Sequence, residues 1–164
     1  MTSFLKMYFI ILLFSLSSGC SLPSKKPFIQ DLTGKHKVDL DKIWLSHEHI
    51  LVDFIGAESI DSSHWNHTLV MDEILPYLEE LKPYNVSYFV DATPNYLGRD
   101  VLLLEKIAKK TGLKILTNTG LYGARDNEFI PDYAKRMTAK ELSNMWVKEF
   151  TDGIAGSSIR PGFI

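Results

Sequence analysis

The chain has 164 residues, of which 45% are hydrophobic, with a formal net charge of −2 and one cysteine. This composition excludes a disordered chain and an intrachain disulfide framework. Lys and Arg are scattered rather than clustered among aromatics, so no nucleic-acid partner is expected.

At the amino terminus Lys6 precedes an apolar run over residues 7–16, followed by Ser17, Ser18 and Gly19. That is the pattern of a secretory signal over residues 1–19. The run is shorter than the roughly 20 apolar residues of a spanning helix. Cys20 comes next and resembles the lipid-acceptor cysteine of a bacterial lipoprotein. It departs from that pattern in having Ser17 three places earlier where Leu is usual, with Leu16 one further back. The expectation is an exported protein of the periplasm or cell envelope, held to the membrane by a lipid on Cys20. The alternative is a plain cleaved signal with an incidental cysteine. Residues 20–27 are polar and carry Pro23 and Pro27, as a tether does, so the folded domain is expected over residues 28–164.

Within that domain strand-like and helix-like segments alternate. Residues 28–38 hold Thr33 and Gly34 between apolar positions and predict a hairpin or an irregular lead-in. Residues 43–46 form a short apolar strand, and 53–67 a long polar loop of the kind that tends to be functional. Apolar residues at Leu69, Val70, Ile74, Leu75, Leu78 and Leu81 predict an amphipathic helix, with Pro76 as a source of a kink. A buried strand follows over 86–90, then a helix over 99–110 with Asp100 at its positive end, Lys109 and Lys110 at its negative end and Gly112 as its stop. Residues 114–119 predict a third strand and 124–137 a second long loop. Thr138 and Glu141 have capping-box spacing ahead of a helix over 139–151, and 159–164 read as the opening of a fourth strand. This order predicts an α/β fold with a parallel sheet and helices outside it. No glycine-rich nucleotide loop follows the first strand, so an open nucleotide-binding sheet has no positive support.

Chemistry gathers where strands end. His47 and His49 lie two apart, so in an extended strand they share one face while Glu48 takes the other. Two imidazoles on one face can grip a metal ion, although a catalytic site needs further ligands and an open position for water. Strand-end histidines satisfied by backbone partners are the structural alternative. Asp91 and residues 118–122 also fall at carboxyl ends of strands, the face on which both barrel and open-sheet enzymes place their sites.

Taken in order, Leu45-Ser46-His47-Glu48-His49-Ile50, Val90-Asp91-Ala92-Thr93, Gly98-Arg99-Asp100, Thr119-Gly120-Leu121-Tyr122 and Ile159-Arg160-Pro161-Gly162-Phe163-Ile164 resemble the amino-terminal half of the phosphotriesterase family, within the amidohydrolase superfamily. The resemblance covers residues 41–164. It implies the first half of a (β/α)8 TIM-type barrel, truncated at the fourth strand just before the lysine that bridges two metals in that family. It also implies that His47 and His49 bind the more buried of two divalent cations, usually zinc. The full-length protein would then hydrolyse a small-molecule lactone or an organophosphate-like triester by a metal-bridged hydroxide, with a homodimer open as its assembly. No catalytic residue of the family falls in this chain, and the fragment alone is expected to be inactive; the alternative is a non-catalytic remnant or binding protein. Tyr122 stands where the lactonase-like branch has a substrate-contacting tyrosine, or else packs a loop. Lys42 and Trp44 depart from the family's usual glycine and small or polar residue. Asp91 and Arg99 invite a catalytic reading, but Asp91 is expected to hold a strand-end turn and Arg99 with Asp100 to anchor a helix start, while His36, His64 and His67 are expected to have surface or loop roles.

Overall fold

A computed structural model of the chain describes residues 27–61 and 65–164. The expected signal, most of the expected tether, Cys20 and His64 lie outside these residues. Among the described residues no helix is long and apolar enough to cross a membrane.

The lead-in is a hairpin. β1 (Phe28–Asp31) pairs antiparallel with β2 (Gly34–Lys37) around Leu32 and Thr33. The turn is held by Asp31, whose Oδ1 accepts from the Thr33 backbone at 2.7 Å and from its hydroxyl at 2.8 Å. Leu32 N–H donates to Ile115 O at 3.0 Å, which docks the hairpin on the main sheet.

That sheet has three parallel strands in the order β3 (Ile43–Glu48), β4 (Val86–Asp91) and β5 (Lys114–Leu116). Parallel neighbours need crossovers, and helices supply them. α1 (His67–Glu79) links β3 to β4, starting from Asn66, whose side chain accepts from the Thr68 and Leu69 backbones. Pro76 lies inside α1, where it removes one donor from the helical ladder. α2 (Val101–Thr111) links β4 to β5, capped by Asp100 and closed by left-handed Gly112. α1 and α2 pack on one face of the sheet. Leu103, Ile107 and Ile115 there have no exposed surface, and Leu78, Phe89 and Ile159 are nearly as buried.

α3 (Ala139–Asp152) begins with the predicted capping box: Glu141 N–H donates to Thr138 Oγ1 at 3.3 Å, and Thr138 N–H to Glu141 Oε2 at 2.7 Å. The loop before it is less open than the sequence suggests, since Ala124–Asn127 and Asp132–Lys135 each make a single turn. At the carboxyl end the expected fourth strand is reduced to one parallel bridge, Asn118 to Phe163, reinforced by Gly162 N–H to Thr117 O at 2.8 Å and Thr119 N–H to Phe163 O at 3.0 Å. Pro161 has no N–H to give, which shortens the ladder.

Candidate active site

Side-chain direction on β3 is set by an irregularity in its pairing with β4. Leu45 aligns with Phe89 and Glu48 with Asp91, so three steps on β3 span two on β4. The extra residue reverses the alternation. Leu45 packs with Phe89 into the helix-side core, and Glu48 falls on the same side as Asp91. His47 is thereby released to the opposite face, and His49 follows it just beyond the strand.

The two rings meet edge to face with centroids 5.2 Å apart and line one cleft of about 440 Å3, with Val52, Phe54, Ala92, Pro94, Leu97 and Tyr122. Both are exposed to it. A second cleft of about 340 Å3 adjoins His47 and carries Ser46, Asn118, Thr119, Tyr122 and Trp146.

Behind His49 lies a buried polar layer. Its Nδ1 is 2.9 Å from Thr93 Oγ1. Asp91 Oδ1 accepts from Thr93 N–H at 2.9 Å and Oδ2 from Ile50 N–H at 3.1 Å. Burial pushes the Asp91 carboxyl above its ordinary value, opposed by the Thr93 and Ile50 hydrogen bonds and by the nearby His49. The Asn118 amide donates to Thr93 O at 3.0 Å, while its own Oδ1 is buried with no partner among the described residues. Asp91 thus holds a strand-end turn as expected.

The Gly98-Arg99-Asp100 segment positions the loop above. Gly98 has φ +118°, and a Cβ there would lie 2.9 Å from Leu51 O, so the chain passes against the backbone that follows His49 only because this residue has no side chain. Asp53 N–H bonds Leu97 O at 2.9 Å in the same contact. Arg99 lies just outside the helix and is almost fully buried. It donates to Asn118 O at 2.7 Å and forms a fork with Glu149, Nη2 to Oε1 at 3.0 Å. Asp100 caps α2 by accepting from Leu102 and Leu103.

His67 is not a loop residue. It opens α1, and its Nε2 is 2.6 Å from the second Asp100 oxygen while Lys106 Nζ lies 3.0 Å from its Nδ1. His36, likewise, stands in β2 with Nε2 3.3 Å from Asp31. Neither lines the cleft beside His47 and His49. Trp44 is accommodated by stacking on Tyr88 at 4.0 Å, and Lys42 Nζ reaches Asn85 Oδ1.

Tyr122 does two things at once. It lines the cleft beside both histidines, and its ring stacks on Phe129 at 5.8 Å. Phe129 in turn meets Phe54 edge-on at 5.6 Å, with the Arg125 guanidinium 5.5 Å from the Phe54 centroid and 5.7 Å from that of Phe129. Ala57 N–H to Glu128 O at 3.1 Å and Asp132 N–H to Glu58 Oε1 at 2.7 Å complete the tie. The loops following β3 and β5 therefore join across the end of β4. Thr93 enters the sequence motifs without a role of its own, and nothing local marks Phe54 or Phe129; the Asp91-x-Thr93 spacing at a strand end is the one available signal.

Metal-binding potential is partial. Imidazoles facing one cleft, with Nδ1 of His49 already engaged and Nε2 left over, suit a divalent cation. Among the described residues no group of three or more His, Cys, Asp or Glu comes together to hold one. The pair can thus provide two donors of a shell.

A parallel α/β sheet carries a histidine pair at its carboxyl ends, the face on which α/β enzymes place their sites. The chain belongs to the phosphotriesterase family, whose model matches residues 33–164. It is 28% identical over 139 residues to an aryldialkylphosphatase of Saccharolobus solfataricus, an alignment covering 81% of this chain and 42% of that protein. An organophosphorus hydrolase from Deinococcus radiodurans superposes with a TM-score of 0.71 at 30% identity, covering 89% of this chain and 45% of that one. A mutant PTE-like lactonase from the same organism gives 0.69 at 30% identity, covering 82% and 43%. The chain spans less than half the length of these relatives.

Proposed function

We propose that this chain supplies the first-strand metal ligands and part of the substrate cleft of a divalent-metal-dependent hydrolase, zinc being the expected metal, acting on a lactone or phosphotriester. The single observation that carries this reading is the placement of His47 and His49 together on the cleft face, with Thr93 occupying Nδ1 of His49. Family membership and the names of the relatives support the reaction class. On the same reading the sheet is the opening half of a (β/α)8 barrel, and two cations complete the site in the full-length protein. A bound divalent ion would supply an activated water and polarise the oxygen under attack. This chain's residues have narrower tasks: His47 and His49 bind, Tyr122 contacts the substrate, and Val52, Phe54 and Leu97 shield the site from bulk water. The Tyr122 position and the relative named a lactonase favour a lactone.

Two donors alone should hold metal weakly, and residues 1–164 should turn over neither substrate class. Titration of the purified chain with Co2+, followed by its visible absorption, should show binding that disappears when His47 and His49 are both replaced by Ala. Binding that survives the double replacement would overturn the assignment, as would lactone or phosphotriester turnover that survives it. Export and attachment through Cys20 belong to the same proposal, supported by the sequence over residues 1–20. Labelled fatty acid should enter the wild-type protein and not Cys20→Ser; incorporation that persists in the variant would refute that attachment.

A further inference from the structure

We propose that the amino-terminal end of the sheet, around Phe28, Leu40 and Tyr84 with Lys35 and Lys37, is a docking surface for an anionic phospholipid membrane. Docking there turns the cleft away from the lipid. The inference goes beyond the hydrolase reading and draws on the attachment through Cys20 for the choice of partner.

The hairpin has two unlike faces. Residues opposite each other in an antiparallel pair share a face, so the register of Phe28 with Lys37 and of Gln30 with Lys35 puts these four on one side and Ile29, Asp31 and His36 on the other. Asp31 is buried on the inner side. On the outer side Lys35 and Lys37 are exposed, Phe28 is 52% exposed, and Lys35 Nζ stands 5.1 Å from the Phe28 ring centroid. Leu40, 73% exposed, and Tyr84, 70% exposed, lie at the same end of the molecule. Backbone contacts make neighbours of these segments: Val38 N–H donates to Pro27 O at 2.8 Å, Ile43 N–H to Asn85 O at 3.1 Å, and the Asn85 amide to Asp41 O at 2.8 Å.

Charge and tether select the partner. Over residues 25–42 five lysines stand against three aspartates, in a chain whose net charge is −2. Of those acids Asp31 is buried and Asp39 accepts from the Asp41 N–H at 3.2 Å, while Asp41 is exposed. Large apolar side chains rimmed by lysine suit a membrane surface: the apolar groups enter the headgroup layer while the ammonium groups stay with the phosphates. Pro27, bonded into this surface, is seven positions from Cys20, a reach of at most about 25 Å. A lipid on Cys20 would therefore hold this end near the membrane and raise its local concentration there. His47 and His49 stand at the other end of β3, whose six residues span about 17 Å.

The test uses the whole chain with Cys20→Ser, so that no lipid is attached there, and an environment-sensitive fluorophore on Leu40→Cys or, at the cleft end, on Ile55→Cys. The apolar run over residues 7–16 can bring every variant to a vesicle, so the discriminating readout is which end of the domain meets the lipid. With vesicles of phosphatidylcholine and phosphatidylglycerol, emission should shift to the blue at position 40 and stay unchanged at 55. The ratio of docked to undocked label at 40 should fall about fivefold for each of Lys35→Gln and Lys37→Gln, and should fall again as salt is raised. No shift at 40, an equal shift at 55, or the same response on phosphatidylcholine alone would overturn the proposal. So would a shift that grows with protein concentration without vesicles, which would make a second copy of the chain the occupant. Docking at 40 without fatty acid entering the wild-type protein would support this surface and defeat the attachment; fatty acid entering without docking would do the reverse.

Discussion

The two faces of the three-stranded sheet are built for different purposes. On the helix side, Leu103, Ile107 and Ile115 are wholly buried and join Leu45, Leu78, Phe89 and Ile159 in one apolar layer. On the other side, Trp44 stacks on Tyr88, and above them Ser46, His47, Asn118 and Thr119 line open clefts. Burial of apolar area stabilises the first face. The second gives up some of that stabilisation to keep polar groups within reach of a ligand, and Thr93, 1% exposed, lies under His49. The comparison teaches that stability and chemistry are separable here, although the strands are shared.

Replacing Ile107 with Ala should produce the largest loss, about 3 kcal/mol of unfolding free energy, because a fully buried side chain leaves a cavity between α2 and the sheet. The urea midpoint reads this, and a loss under about 1 kcal/mol would show that the helix side is not the stabilising layer. Arg99→Ala should cost a similar or slightly smaller amount, about 3 kcal/mol, by leaving Glu149 unpaired beside the buried Asn118 carbonyl. Adding Glu149→Gln should recover part of that loss.

Asp91 makes the polar layer pH-sensitive. Its carboxyl titrates above the ordinary 3.8, so the folded state holds this proton more tightly than the unfolded one. Between the ordinary value and the raised one the native chain binds more protons, and stability falls as pH rises through that window. Asp91→Asn should remove this component of the pH dependence. A wild-type minus variant difference that is flat or of opposite sign across the window would contradict the burial argument.

Thr138→Ala should cost about 1 kcal/mol through loss of the α3 cap. The smallest effect belongs to the cleft itself: His47→Ala should change stability by less than about 0.5 kcal/mol, since the ring is exposed, while abolishing its share of metal binding. A large destabilisation there would mean that the histidine is a structural element of the sheet.

Much of this architecture is legible along the chain because its signals are local. The cap at Thr138, the stop at Gly112, the charges flanking α2 and the hairpin turn at Thr33 and Gly34 each act within a few residues of their cause. Boundaries slipped where a distant partner decided them: β5 keeps only Lys114–Leu116 in its ladder with β4, and the segment beyond Ile159 makes one bridge. A loop or surface role for His67 is all its neighbours in sequence suggest, whereas it opens α1 with its ring against Asp100, 33 positions away.

The sequence by itself determined the order of elements, their caps, the family motifs and the pairing of His47 with His49 on a single face, since alternation along an extended chain is a property of that chain alone. Which face they occupy was decided by tertiary structure. Counted from Leu45, strict alternation would have turned both histidines toward the helices; the extra residue between Leu45 and Glu48 exists only in the register with β4, and it turns them toward the cleft. The hydroxyl behind His49, 44 positions away, and the ring of Phe129 under Tyr122 are likewise consequences of strands and loops brought side by side. Contacts of that kind depend on packing between segments, so no local pattern in either segment carries them.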